Sequence, residues 1–372
     1  MNHGEADVVI VGGGISGCSS AWELAKRGHK VIVLEKGRLA GEGSGRNGGG
    51  VRQQNRDPDE LPLAMGARRI WESYSTALDV DVEYRRNGNL RLIRSEMEAI
   101  QFQDILLQER KMGLEVDMLS AEETRALVPA LSCTTRLLSG KYCRSDGTAN
   151  PLLVTRAVAR AATRLGAEFH ELEPFQAFSF KNGRVIAART PQREYHAGFF
   201  ILTAGAHSIG ICRDMELDFA VTIKRSQILV TEPLPPLIGP FVSADVGYMR
   251  QALNGGIHLG VRSTPVENFD TSTSLLAFEE AGFGYLDLFP ALTDVHIIRS
   301  WAGLTDWTPD AKPIIDQAPG IEGLWMASGF SGHGFCLGPM VGKVLTEWIL
   351  DGAPSLDMSP FSWSRLRPEA TP

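Results

Sequence analysis

The segment VVIVGGGISGCSSAWELAKRGHKVIVLEKG, residues 8–37, constrains the fold more than any other part of this chain. The apolar run Val8 to Val11 reads as a buried strand, and Gly12, Gly14 and Gly17 follow at GxGxxG spacing. A helix is expected from about Ile15 to Arg27, with Ile15, Cys18, Trp22 and Ala25 on one face. Gly28 ends it, and Lys30 to Leu34 form a second strand closed by Glu35. Strand, glycine turn, helix, strand and acidic residue in this order make a dinucleotide-binding unit. Gly12 makes the tight turn, Gly14 lets a pyrophosphate approach the backbone, and Gly17 lets the helix pack close to the sheet. The helix N-terminus, opened by Ile15 and Ser16, offers N–H donors and the positive dipole end to the phosphates. Glu35 is placed to accept from a ribose 2′-hydroxyl, which favours an adenosine without a 2′-phosphate. The expected ligand is FAD or NAD.

The chain has 372 residues, enough for two domains and a large core. A net charge of −7 argues against nucleic acid as the main partner. No apolar run reaches the roughly 18 to 20 residues that a membrane span needs. MNHGEAD is short and lacks an apolar core, so no signal peptide is expected and the expected compartment is the cytoplasm. The five cysteines are scattered without a CxxC pair, which supports neither a zinc site nor an iron–sulfur cluster in this chain.

Along the chain, α/β character runs to about residue 82, interrupted by a Gly/Arg-rich loop from Gly41 to Arg56. Helices are expected at Leu61–Leu78, Ile100–Met112, Ser120–Leu127 and Pro151–Leu165, with Ser120 and Glu123 as a capping box. Strand signals lie at Glu83–Arg94, Phe199–Thr203, Ile223–Thr231, Tyr248–Arg262, Ile297–Trp301 and Gly323–Ala327. Asn182-Gly183 and Asn254-Gly255 mark hairpin turns. Met340–Leu350 reads as a last helix. The expected fold is α/β (α+β overall): a Rossmann-like FAD-binding domain with an inserted mixed β-sheet substrate domain. Residues 1–82, 145–215 and 296–372 are assigned to the first, and 83–144 and 216–295 to the second.

Two further segments carry chemistry. In GEGSGRNGGGVRQQNRDP, Gly41 to Pro58, glycines can press the backbone against a flat ligand. Arg52, just behind them, can aim a two-pronged guanidinium at a carboxylate. In GLWMASGFSGHGFCLGP, Gly323 to Pro339, a strand runs through a glycine loop into a second open helix N-terminus, suited to negative charge on a reduced flavin. His333 in that loop is open to two readings, ligand contact or loop hydrogen-bonder. Upstream, Asp306 and Asp310 either form a general acid–base pair or cap turns and bond ribityl hydroxyls.

Taken together, VVIVGGGISG with Glu35, SGRNGGGVRQQ, FILTAGAHS, WAGLTDWTPDAKPIID and GFSGHGFCLGP resemble the FAD-dependent family of D-amino-acid oxidase, glycine oxidase and sarcosine oxidase. GRNGGGVRQQ followed by RDP is most similar to the β subunits of hetero-oligomeric sarcosine oxidases and the related proline, hydroxyproline and opine dehydrogenases. The resemblance implies that Gly12, Gly14, Ile15, Ser16, Gly17, Glu35 and Lys36 hold the ADP half of FAD. It implies that Ser44, Arg46, Asn47, Gly48 and Gly49 line the flavin and that Ala204 and Gly205 touch the cofactor through backbone. Gly329, Gly332, His333, Gly334 and Phe335 are then near the pyrimidine edge. Arg52 binds the substrate carboxylate, and Tyr248 and Arg262 face the substrate from the other domain, with His333 completing the catalytic set. It also implies a larger α subunit, a small iron–sulfur subunit and an FMN at a subunit interface. Gly303 stands where monomeric sarcosine oxidases attach the flavin to a cysteine, so the FAD is expected to be non-covalent. Cys336 replaces their lysine after GHGF. Asn150-Pro151 offers no histidine to tether the FMN.

The implied reaction is hydride transfer from a secondary amino acid, such as sarcosine, proline, hydroxyproline or an opine, to flavin N5. The resulting imine hydrolyses. The other reading is an FAD-binding scaffold subunit with no amino-acid oxidation of its own. An NAD-dependent dehydrogenase would need a second nucleotide half-site, which the sequence does not offer.

Overall fold

The computed structural model describes residues 3–217 and 219–366. The expected buried strand Val8–Val11 is the end of a longer one, His3–Val11, at the centre of an eight-stranded sheet. Val8 to Val11 pair in parallel with Val31 to Leu34 on one side and with Phe199 to Leu202 on the other. Leu324–Ser328 and Glu168–Glu171 extend this parallel core, and Ile314–Gln317 adds an antiparallel edge. A strand buried on both faces must be apolar throughout, which is why Val8 to Val11, Val31 to Leu34 and Phe200 to Leu202 read as unbroken apolar runs. The hairpin Ala177–Lys181/Arg184–Arg189 turns at Asn182-Gly183, both at positive φ, and pairs with Glu194–Leu202.

One face of the sheet is covered by the helices Ile15–Lys26, Leu61–Leu78, Pro151–Arg164 and Gly334–Asp351. The last begins six residues before the expected Met340, with Pro339 inside it. Glycine decides how it packs. A Cβ on Gly338 would meet the Ile15 side chain at 2.6 Å, and one on Gly342 the Ser19 backbone at 2.5 Å. Two glycines at i, i+4 therefore let this helix lie almost backbone to backbone on the dinucleotide helix. The helix Glu96–Lys111 starts four residues before the expected Ile100, after Ser95, whose hydroxyl accepts from Glu98 N. The capping box of Ser120 and Glu123 forms.

A second sheet of nine strands carries the other half of the molecule. Its longest pairing joins Thr222–Pro233 to Ile297–Trp307, antiparallel, with Ser226 opposite Gly303. This departs from the assignment of 296–372 to the first domain: residues 297–307 belong to the second sheet. The strand signal at Ile297–Trp301 marks the start of this strand, where Ile297 and Ile298 are exposed. Neighbouring residues of a strand point to opposite faces, so with Ile297 and Ile298 both exposed this end of the strand meets solvent on both. Asn89–Ile93, Ser139–Cys143, Gly247–Gln251 and Gly256–Val261 complete the wall that faces the glycine loops. Behind it the helix Leu275–Leu288 buries Ala277, Ala281, Tyr285 and Leu288. Among the described residues no helix is long and apolar enough to cross a membrane.

Candidate functional site

The dinucleotide unit forms as the glycine spacing requires. Gly12 sits at φ +111°, and a Cβ there would lie 2.5 Å from the Thr203 carbonyl oxygen. A Cβ on Gly17 would collide with the Gly12 carbonyl, so this glycine sets the helix–turn approach. A cavity of about 460 Å³ runs along the unit. Gly12, Gly14, Ile15, Ser16, Glu35 and Lys36 line one end; Ala204 and Gly205 line its floor. Ser44, Asn47, Gly332, Gly334 and Phe335 line the other end.

The Glu35 carboxylate accepts from Gly13 N at 2.8 Å and Gly37 N at 2.7 Å. Fixed by two backbone donors, its remaining lone pairs face the cavity. Lys36 Nζ lies 2.6 Å from His207 Nε2, and burial followed by this lysine's charge holds the imidazole below its ordinary pKa. The helices starting at Ile15 and Gly334 have no side-chain cap on their N-cap residues, Gly14 and His333. Both open onto the same cavity. Two helix N-termini without caps of their own, the Ile15 N–H taken by Ser44 Oγ, and a backbone-held carboxylate along one channel fit an extended dinucleotide with negative charge at its middle and at its flavin end.

The loop from Gly41 is built, not loose. Its one-turn helix, Gly43–Arg46, brings Ser44 Oγ within 2.9 Å of Ile15 N, from which it accepts. Arg46 donates to the carbonyls of Gly41 and Ala302, and Asn47 donates to those of Gly43 and Ser44. Gly48 has no room for a side chain, because the Tyr248 ring occupies that space. Tyr248 is stacked on Phe241, with ring centroids 5.1 Å apart.

A second cavity, also about 460 Å³, abuts the first across Gly43, Asn47, Leu304, Thr305, Gly332 and Phe335. Arg46, Gly48, Arg52, Tyr248, Gly303 and His333 all line it.

Arg52 Nη1 donates to the carbonyls of Gln54 and, at 2.9 Å, Asn55, while Nη2 lies 3.5 Å from His333 Nε2. Burial, then the neighbouring Arg56, lowers the Arg52 pKa to about 10, so it stays charged at neutral pH. His333 Nδ1 faces Glu60 at 2.9–3.0 Å. Burial first, and then Arg56, lowers the imidazole to about 4 despite Glu60. It is therefore a neutral ring whose Nδ1–H, assigned from its carboxylate partner, points at Glu60. Burial pushes Glu60 up, but Arg56 and His333 outweigh it and hold the carboxyl below its usual range.

Four expected contacts fall elsewhere. Arg262 is exposed, and its Nε donates to the Asp245 carbonyl 2.7 Å away, outside both cavities. Gly17, Gly49 and Gly329 line neither cavity. Gly49 instead bonds Ala149 and Asn47 at φ +75°, and Gly329 turns the chain at φ +69°. Asp306 and Asp310 do not pair. Asp306 is buried and accepts from Ser328 Oγ and Gly329 N, whereas Asp310 binds Arg365.

The structure adds a group that the sequence reading missed. Glu109 and Lys141 form a buried ion pair, 2.5 Å between Oε2 and Nζ. Glu109 Oε1 accepts from Asn55 N, and Lys141 Nζ donates to Asn55 Oδ1 at 2.7 Å. Gln54 Nε2 donates to the carbonyl and side chain of Asn89. Three elements of the second sheet's domain thus grip residues 54 and 55, whose carbonyls hold Arg52. Asn55 is at φ +56°, a conformation Asn tolerates. Only Arg56 and Glu60 left a trace in the sequence, as an i, i+4 charge pair.

One of the opine oxidase subunits from Rhizobium meliloti is 29% identical over 383 residues, covering 97% of this chain and 98% of the relative. The beta subunit of a sarcosine oxidase from Rhodobacter capsulatus is 26% identical, covering 93% and 85%. The crystal structure of L-proline dehydrogenase from P. horikoshii superposes with a TM-score of 0.92 at 27% identity, over 97% of each chain. The family model described as DAO, FAD dependent oxidoreductase, matches residues 7–348, and with the channel fitting an extended flavin dinucleotide the chain belongs to that family.

Proposed function

We propose that this FAD-dependent oxidoreductase oxidises the C–N bond of a secondary amino acid. The observation that carries the reading is the second cavity, which adjoins the flavin end of the channel and is lined by four arginines and no carboxylate. Such a wall attracts a substrate carboxylate and repels an ammonium group, so it selects the amino acid with its amine neutral. FAD, when bound, supplies a two-electron acceptor.

Arg52 anchors the carboxylate. Its Nη1 is fixed by two carbonyls, which leaves the Nη2 edge to the substrate. His333 stays neutral and adds no charge beside the amine. Tyr248 and Phe241 close one side of the cavity with flat apolar surface. With the amine arriving unprotonated, positioning carries the rate and no strong base is required.

The reading includes a place beside other chains. Its support is that two relatives are named as subunits, together with an apolar patch on the helix Leu275–Leu288, where Leu275, Leu276 and Phe283 are 82%, 67% and 85% exposed.

The test is an anaerobic titration of the flavin-loaded protein, alone and with its co-expressed neighbours, against secondary amino acids. Bleaching of the visible flavin band by one of them is expected. Arg52→Ala is expected to raise its KM roughly ten- to a hundredfold, the equivalent of a charged hydrogen-bonded contact. A bound flavin that no amino acid reduces, even in the complex, would overturn the reading in favour of a scaffold subunit.

A further inference from the structure

The cofactor channel is crossed by side chains that the dinucleotide unit alone does not explain. In the first sheet His3–Val11 lies between Val31–Glu35 and Glu194–Leu202. Lys36 follows one of these neighbours, and His207 comes soon after the other. Neighbouring strands are about 4.8 Å apart, so the two outer strand ends stand about 10 Å from each other across the turn at Gly12. Their side chains nevertheless meet, with Lys36 Nζ 2.6 Å from His207 Nε2, and both line the channel. An ammonium group only donates, so Nε2 accepts. The contact is a bar from one side of the crevice to the other, beyond the strand ends where a dinucleotide lies.

The second sheet supplies a cover for this bar. Residues 266–274 form a strap between the short strand Thr264–Pro265 and the helix Leu275–Leu288. The strap is tied to the strand Thr222–Pro233. Val266 N donates to the Ile223 carbonyl at 3.0 Å, Arg225 Nη1 to Asp270 at 3.0 Å, and Ser274 N to Gln227 Oε1 at 2.8 Å. Between these ties Phe269 reaches the other half of the molecule and lies flat on His207, with ring centroids 4.3 Å apart and planes 14° from parallel. Phe269 lines the channel although it is 47% exposed. A half-exposed ring stack and a solvent-exposed ion pair at Asp270 are weak contacts, so the strap can swing out while both sheets stay folded.

We infer that Phe269, His207 and Lys36 form a clasp over the cofactor crevice, and that FAD enters and leaves only when the strap 266–274 lifts Phe269 from His207. The clasp concerns exchange of the cofactor and holds whichever amino acid is oxidised. It also has a kinetic signature. Entry and exit pass through the same open state, so loosening the strap speeds both by a similar factor and moves the equilibrium little. A residue that only touches bound FAD behaves differently: its loss speeds release and leaves entry as it was.

The experiment measures both rates on the full chain. Release from the FAD-loaded protein is followed by the fluorescence gained as added phosphodiesterase splits freed FAD, which also prevents rebinding. Entry is followed by stopped-flow fluorescence on mixing FAD with the stripped protein. Phe269→Ala removes the ring stack and is expected to raise release and entry each about tenfold, with Kd within about threefold of wild type. Asp270→Ala cuts the tie to Arg225 without altering the channel lining, and is expected to raise both rates about threefold. It decides the matter should Phe269→Ala fail to fold. Glu35→Ala, which removes a carboxylate inside the channel, is the contrast: faster release with entry unchanged. Strap variants with both rates within about 1.5-fold of wild type would overturn the inference. So would strap variants that behave like Glu35→Ala, because Phe269 would then be contact surface and not a closure.

Discussion

Consider the pair Glu109 and Lys141, buried 3% and 0% exposed at their side chains. Removing one partner strands the other charge in the interior, a change that typically costs about 3–5 kcal/mol. Lys141→Met leaves the Glu109 carboxylate with only Asn55 N, and Glu109→Gln leaves the ammonium with Asn55 Oδ1 and a neutral amide. Burial already pulls the Lys141 ammonium below its ordinary pKa, with Glu109 opposing, so the unpaired lysine is expected to lose its proton more readily. Each single variant is therefore expected to lose about 3 kcal/mol or more in denaturant unfolding of the flavin-loaded protein. Glu109→Gln with Lys141→Met removes both charges and is expected to cost much less than the sum, a coupling of roughly 2 kcal/mol or more. The pair also grips Asn55, whose carbonyl holds Arg52. The single variants should then raise substrate KM about tenfold while kcat changes little, because the carboxylate anchor moves and the flavin site does not. Single variants within about 1 kcal/mol of wild type, or costs that simply add, would refute the reasoning.

Other tests follow from single residues. Gly17→Ala places a methyl against the Gly12 carbonyl and is expected to abolish flavin retention at a stability cost of roughly 1–3 kcal/mol or more, read as the flavin-to-protein absorbance ratio. His333 titrates at about 4 when folded against about 6.5 unfolded, so the unfolded chain binds the proton first as pH falls. Stability is expected to decline from pH 6.5 towards 4 and less steeply in His333→Asn; equal slopes would remove His333 as the cause. The acidic limb of kcat/KM should follow the pKa of each substrate's amine, and a limb near 6.5 shared by all substrates would contradict a neutral His333. Glu35→Ala removes the acceptor held by Gly13 and Gly37 and is expected to weaken FAD binding about tenfold, measured by fluorescence on titrating the apoprotein.

Much of the cofactor half was legible in the chain because its signals are local. A tight turn, a close helix and a buried parallel strand each demand particular residues within a few positions, so Val8–Val11, Gly12, Gly14, Gly17 and Glu35 declare the unit by themselves. Leu61–Leu78 and the capping box at Ser120 are local in the same sense. Where a glycine serves packing, sequence misleads: Gly338 read as part of the loop, yet it lies with Gly342 inside a helix pressed on Ile15 and Ser19. The substrate cavity was only half visible. Arg52 stood out behind the glycines, but Arg262 points to solvent and Arg91 faces the cavity, a difference set by strand pairing rather than by residue type. Glu109, Lys141 and Asn89 lie far apart along the chain and meet only because two neighbouring strands of the second sheet and a helix converge on one turn. The sequence by itself determined that the chain builds a dinucleotide-binding unit, since local backbone geometry suffices for that. Only the tertiary structure decided which charges are buried, which are paired and which face the substrate, because desolvation depends on neighbours that the linear order does not reveal.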